Sequence, residues 1–197
     1  TGFTGICIWN FSSRWKERVK SFLHALLLIR FRSQLLKGPS YKTMSFYDEL
    51  CQTRRVVALG GSDAHGAYFK WWRFNIQPLP YESLFKAINI HLFLKKKIFK
   101  DFSAAKADIY EAMSEGRLFI ANDELQPARG FRYNYISDDG SDLNMGEEAA
   151  FYPGNLIIEC PAKGEIRLIR DGEIVKRVRG TEAVFAVNTK GVYRVEV

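Results

Sequence analysis

Cysteine is scarce. Cys7, Cys51 and Cys160 are the only three in 197 residues, an odd number, and no Cys-x-x-Cys spacing occurs. That speaks against a disulfide framework and a structural zinc site, and it fits a reducing compartment, so a cytoplasmic location is expected. Internal repeats and low-complexity segments are missing, and no signal-peptide pattern follows the opening Thr1-Gly2-Phe3. No apolar run is free enough of charge to span a bilayer. The most apolar stretch, Trp15 to Leu36, is interrupted or flanked by Lys20, Arg30, Arg32 and Lys37. The net charge is +7, but the basic residues are spread along the chain without an Arg/Gly-rich tail. A solvated surface on part of a larger protein explains this charge, and no nucleic-acid partner is indicated.

What is present is a core-building composition. Hydrophobic residues make up 47% and aromatics 14%, enough for a packed interior. The length suits one large domain or two small ones. Residues 4–9 form a short β-branched and aromatic run that reads as a buried strand. Asn10 through Ser13 bring turn and N-cap chemistry. Helical spacing over Trp15–Leu36 predicts a helix that packs on an α/β layer. A basic amphipathic helix lying on a membrane surface is the weaker alternative. A second helix is predicted over 45–53 with Ser45 as its cap, then a strand over 56–60. Strand, helices and strand in that order make a βαβ unit with parallel strands.

Further on, residues 67–80 are aromatic and irregular (Tyr68, Phe69, Trp71, Trp72, Phe74, with Pro78 and Pro80), either a substrate wall or a hydrophobic cover. A helix is predicted over 81–94. His24 and His91 sit in predicted helices, and both read as packing or surface histidines. Lys95-Lys96-Lys97 reads as a solvated helix end. Ser103 is expected to cap a helix that Gly116 stops. From Arg117 the pattern changes to short alternating strands separated by Asp139-Gly140, Pro153-Gly154, Asp171-Gly172 and Lys190-Gly191. Asp171-Gly172 is a hairpin signal, since a type I′ turn needs positive φ at both positions. These strands predict a small antiparallel β-sandwich.

The chemistry concentrates in Val56-Val57-Ala58-Leu59-Gly60-Gly61-Ser62-Asp63-Ala64-His65-Gly66. A buried strand ends at two glycines and is followed by an acid and an imidazole two residues apart. If the backbone stays extended, Asp63 and His65 share a face. A carboxylate oxygen and an imidazole nitrogen converging there form half a metal site. In parallel α/β folds chemistry gathers at the carboxyl ends of strands, so Asn10, at the end of the first strand, is expected nearby.

On GGSDAHG, the chain resembles the PHP (polymerase and histidinol phosphatase) family of metal-dependent hydrolases. That family has a distorted (β/α)7 barrel, and its late-strand Asp-x-His supplies metal ligands. Gly5-Ile6-Cys7-Ile8-Trp9-Asn10 is similar to the family's preceding strand, with Cys7 where Glu is frequent. LPYESLF, EAMSEGRLFIAND and PARGFRY resemble a junction between barrel and sandwich in one subgroup. The resemblance implies an α/β partial barrel over residues 1–115 and a β-sandwich accessory domain over 116–197. It implies Asp63 and His65 as metal ligands, with Asn10, Cys7 and Ser62 as neighbours. It implies divalent Zn, Mn or Fe and a small-molecule or phosphoester substrate. The family's His-x-His and intervening Glu and His ligands are absent from this sequence. The chain is therefore expected to be the C-terminal part of a longer hydrolase, inactive and weakly metal-binding alone. A full metal site is expected only with the missing N-terminal ligands. A degenerate, metal-free homologue, acting as a non-catalytic binding or structural module, is the alternative. An amidohydrolase-type barrel also uses a late-strand Asp, but the His two residues on favours the PHP reading.

Overall fold

The apolar run at the start becomes strand β1 (Gly5–Asn10), and the VVALGG run becomes β2 (Val57–Gly61). The two pair in parallel, with Asn10 opposite Gly61, so both carboxyl ends lie together as expected of a βαβ unit. The structure, a computed structural model, describes residues 2–66, 68–71, 73–77, 79–98 and 100–197. From the aromatic segment over 67–80, Trp72 and Pro78 lie outside the described residues. The side chains of Phe69, Trp71 and Phe74 do too, as do those of Phe22 and Arg32.

The predicted helix over Trp15–Leu36 is instead three pieces: α1 (Phe11–Arg18), α2 (Phe22–Arg30) and α3 (Arg32–Leu35). Local capping explains the break. Asn10 Oδ1 accepts the Ser13 N–H at 2.8 Å and starts α1, and Ser21 Oγ accepts the His24 N–H at 3.2 Å and starts α2. The next helix, α4 (Tyr41–Thr53), begins earlier than predicted. Ser40, just after Gly38-Pro39, accepts the Thr43 N–H at 3.1 Å, which leaves Ser45 in the helix interior.

The predicted helix over 81–94 is also corrected. Helix α5 (Tyr81–Ala87) stops where Ile88-x-Ile90-x-Leu92 takes up the strand period as β5 (Ile88–Leu92). Its antiparallel partner is β6 (Leu118–Asn122), so His91 stands on a strand opposite Phe119. A short hairpin of β3 (Phe69–Trp71) and β4 (Phe74–Ile76) precedes α5. Helix α6 (Phe102–Ser114) is capped by Asp101, whose carboxylate accepts the Ala104 N–H at 3.0 Å, in place of Ser103. Gly116, at φ +67°, ends it.

Strand β2 lies against the antiparallel β5–β6 pair. A Cβ on Gly60 would sit 2.7 Å from Ile120 Cγ2, so only glycine permits that approach. Trp9, Phe11, Leu28, Leu36, Leu84, Ala87 and Ile88 form the first core.

The C-terminal strands form one hydrogen-bonded antiparallel sheet, not the two facing sheets of a sandwich. Its spine is β9 (Gly154–Arg170), which merges two predicted strands, as does its partner β10 (Glu173–Val187). β7 (Arg132–Ser137) pairs with the first half of β9, and β11 (Tyr193–Glu196) with the second half. β8 (Asp142–Asn144) edges β7. At 17 residues, β9 would run roughly 55 Å if straight. The strand pair loses register between Gly180 and Glu182, beside Pro161 and the facing glycines Gly164 and Gly180. Leu156 and Ile158 before the break and Ile166 and Leu168 after it share one core with Phe185 and Val187. A long bent sheet thus does the work expected of a sandwich. Asp171 and Gly172 close its main hairpin at φ +52° and +91°, as a type I′ turn requires.

The architecture is mixed α/β, and among the described residues the strands close no barrel. The second core is tied to the first unit through α4. Arg194 lies opposite Ile169, so the two side chains share the face that looks away from the second core. From there Arg194 grips Asp48 of α4 through Nε and Nη2 at 2.7 and 2.8 Å. No helix among the described residues is long and apolar enough to cross a membrane.

Candidate functional site

The strand leaves β2 in an unexpected way. β2 continues through both glycines, and the sharp turn falls on Asp63, whose φ of +50° is left-handed. The extended-backbone argument for a shared face therefore fails at Asp63. The two side chains still meet, because the turn folds His65 back. His65 Nδ1 lies 2.6 Å from the Asp63 carbonyl oxygen and 3.6 Å from its carboxylate Oδ1.

A carbonyl can only accept, so Nδ1 is the donor in this contact. The ring is 61% exposed and the Asp63 side chain 38%, and Nε2 makes no hydrogen bond to the described residues. Orienting one ring nitrogen by a hydrogen bond so that the other can ligate is the usual arrangement in metal sites. The loop itself is pinned from two sides. Ser12, buried at the first turn of α1, donates its Oγ–H to the carbonyls of Ser62 (2.9 Å) and Asp63 (2.8 Å). Its N–H also reaches the Ser62 carbonyl, at 3.2 Å. From the other side Tyr81 donates its hydroxyl to the His65 carbonyl at 3.0 Å.

The predicted neighbours separate. Asn10 stands beside Gly61, but its side chain is committed to capping α1. Ser62 contributes its carbonyl to the Ser12 clamp. Cys7 is exposed on β1, opposite Leu59 and below the strand end. Ser12 and Tyr81 were invisible to sequence reasoning, since nothing in their local pattern points across the fold.

A second polar constellation was also missed. Asp123, just past β6, accepts from His91 Nε2 at 2.8 Å and from Asn89 Nδ2 at 2.9 Å. It also accepts the Ala128 N–H at 2.9 Å. Partial burial pushes the Asp123 carboxyl up, but these three donors outweigh it and hold the group below the usual aspartate range. His91 stacks on Phe119 at 4.6 Å between centroids. Asn89 and His91 fall on one face of β5 only because it is a strand. Period-2 spacing over Ile88–Leu92 was the signal that could have found them. This cluster knits the β5–β6 pair to the 123–128 segment.

Compared with protein-family models, curated proteins and solved structures, the chain matches none. Among the described residues, no group of three or more His, Cys, Asp and Glu side chains is placed to hold a metal ion. By donor type, the Asp63 carboxylate and the His65 imidazole suit a divalent ion.

Proposed function

We propose that Asp63 and His65 are one corner of a divalent-metal site in a hydrolase, with a phosphoester as the favoured substrate class. The observation that carries this reading is the hydrogen bond that orients His65. Its Nδ1 donates to the Asp63 carbonyl, which leaves Nε2, without a hydrogen bond to the described residues, as the nitrogen open to a ligand at the carboxyl end of a parallel strand pair.

Catalytic metals usually take three or more protein ligands with one position open, so further ligands come from outside the described residues. A metal bound there would lower the pKa of its water and neutralise charge on a phosphoryl oxygen. In that scheme Asp63 and His65 hold the ion, while Ser12 and Tyr81 hold the loop that presents them.

The test uses the longest natural polypeptide containing this chain, supplied with Mn or Zn and screened on phosphomonoesters and phosphodiesters. Asp63→Asn is preferred to Asp63→Ala, because Asn tolerates the left-handed backbone and isolates the loss of charge. Asp63→Asn and His65→Ala are each expected to abolish turnover. Unchanged turnover in both would refute their role, whereas no turnover by the wild-type polypeptide with either metal would favour a non-catalytic binding module.

A further inference from the structure

Helix α2 turns the wrong face outward for a core helix. Leu28 is buried, yet Leu23, Leu26 and Leu27 are 66%, 48% and 43% exposed. Leu23, Leu26, Leu27 and Arg30 follow i, i+3, i+4, i+7 spacing and so share one stripe. Phe31 and Leu35 continue the exposed apolar surface beyond the helix. Packing on the α/β layer accounts for Leu28 and Leu36 and leaves these five large side chains in water. Contiguous exposed apolar surface of this kind marks an interaction site.

Charge says what kind of site. Lys and Arg occur throughout the chain, but their excess over acids does not. Between positions 14 and 37 stand seven basic residues and one acid, a net +6 out of +7 for the whole sequence. The single acid, Glu17, is already paired with Arg14. Lys16, Arg18, Lys20, Arg30 and Lys37 are exposed and make no ion pair with the described residues. Exposed leucines within a cationic stretch match an interface that is apolar below and anionic above. Single-stranded nucleic acid would call for aromatic stacking platforms, whereas the stripe is aliphatic.

We infer that α2 and its basic flanks are a peripheral membrane-binding surface that seats on bilayers containing anionic phospholipid. The stripe enters the headgroup–acyl boundary lying flat, and the flanking cations meet lipid phosphates. This inference is independent of the metal-site proposal.

The test is co-sedimentation of the 197-residue chain with vesicles of phosphatidylcholine alone or with phosphatidylglycerol added. Binding is expected to the anionic vesicles and to fall as salt rises. Lys16→Gln with Lys20→Gln is expected to weaken it roughly twenty-five-fold, from about fivefold per cation. Leu26→Ser with Leu27→Ser is expected to weaken it at least about tenfold, with an unchanged circular dichroism spectrum. Val178→Ser with Val184→Ser, at exposed positions of β10, is expected to leave binding intact. Equal binding to neutral vesicles, or none to either, would overturn the inference. So would a dimer, seen by light scattering, that the leucine variant dissolves while no vesicle binding occurs; the stripe would then be a contact between copies.

Discussion

Asp48 and Arg194 are 146 positions apart and join α4 to β11. Asp48 is 11% exposed and Arg194 20%, and the contact is bidentate. Taking away one partner of a buried pair costs about 3–5 kcal/mol, because the other charge is left without compensation. Here Arg194 would keep its contact with Glu196, itself 34% exposed. Asp48→Asn is therefore expected to cost about 2–3 kcal/mol, at or below the lower end of that range. For a chain of this size that is roughly 4–12 °C in thermal midpoint. The assay is urea unfolding of wild type, Asp48→Asn, Arg194→Met and the double variant. The cycle isolates the pair from each residue's other contacts. A coupling above about 1.5 kcal/mol is expected; a value under about 0.5 kcal/mol, typical of exposed pairs, would refute the docking of the sheet on α4.

Other perturbations probe the remaining links. Gly172→Ala places a Cβ at φ +91° and 3.1 Å from the Asp48 Cβ, and is expected to cost at least about 1–2 kcal/mol in urea unfolding. A neutral result would remove the type I′ turn from the account. Asp123→Ala strands three donors and is expected to cost about 2–3 kcal/mol at pH 7. Since the folded Asp123 titrates below its unfolded value, that contribution is full above about pH 4 and lost as pH falls through the folded pKa. The gap between wild type and variant should thus narrow as pH falls below about 4, and a constant gap would exclude the carboxylate as the cause. Finally, elemental analysis of the purified 197-residue chain should find less than stoichiometric metal. One tightly held ion per chain, with no second polypeptide present, would contradict a two-ligand corner.

Period and punctuation in the sequence determined β1, β2, their parallel pairing and the Asp171-Gly172 hairpin. In each of these the local signal and the fold agree. The alternation over Ile166–Arg170 likewise made a strand legible, though not its fusion with the preceding strand into one bent spine, which depends on β10 running alongside. Asp63 and His65 were legible as a motif. Their meeting was expected from an extended backbone, but it comes from a left-handed turn at Asp63 clamped by Ser12, 51 positions away. Helix α5 yields to β5 because β6 offers a ladder of partners that an isolated segment cannot anticipate. That same pairing creates the Asn89–His91–Asp123 cluster. Helical spacing predicted a core-packing helix over 15–36, but spacing does not say where the segment breaks or which face meets the core. Only the packing of α2 through Leu28 decided that Leu23, Leu26 and Leu27 face outward. Sequence sets what each segment can be. Burial depends on the contacts available across the fold, and those exist only once distant strands and helices have met.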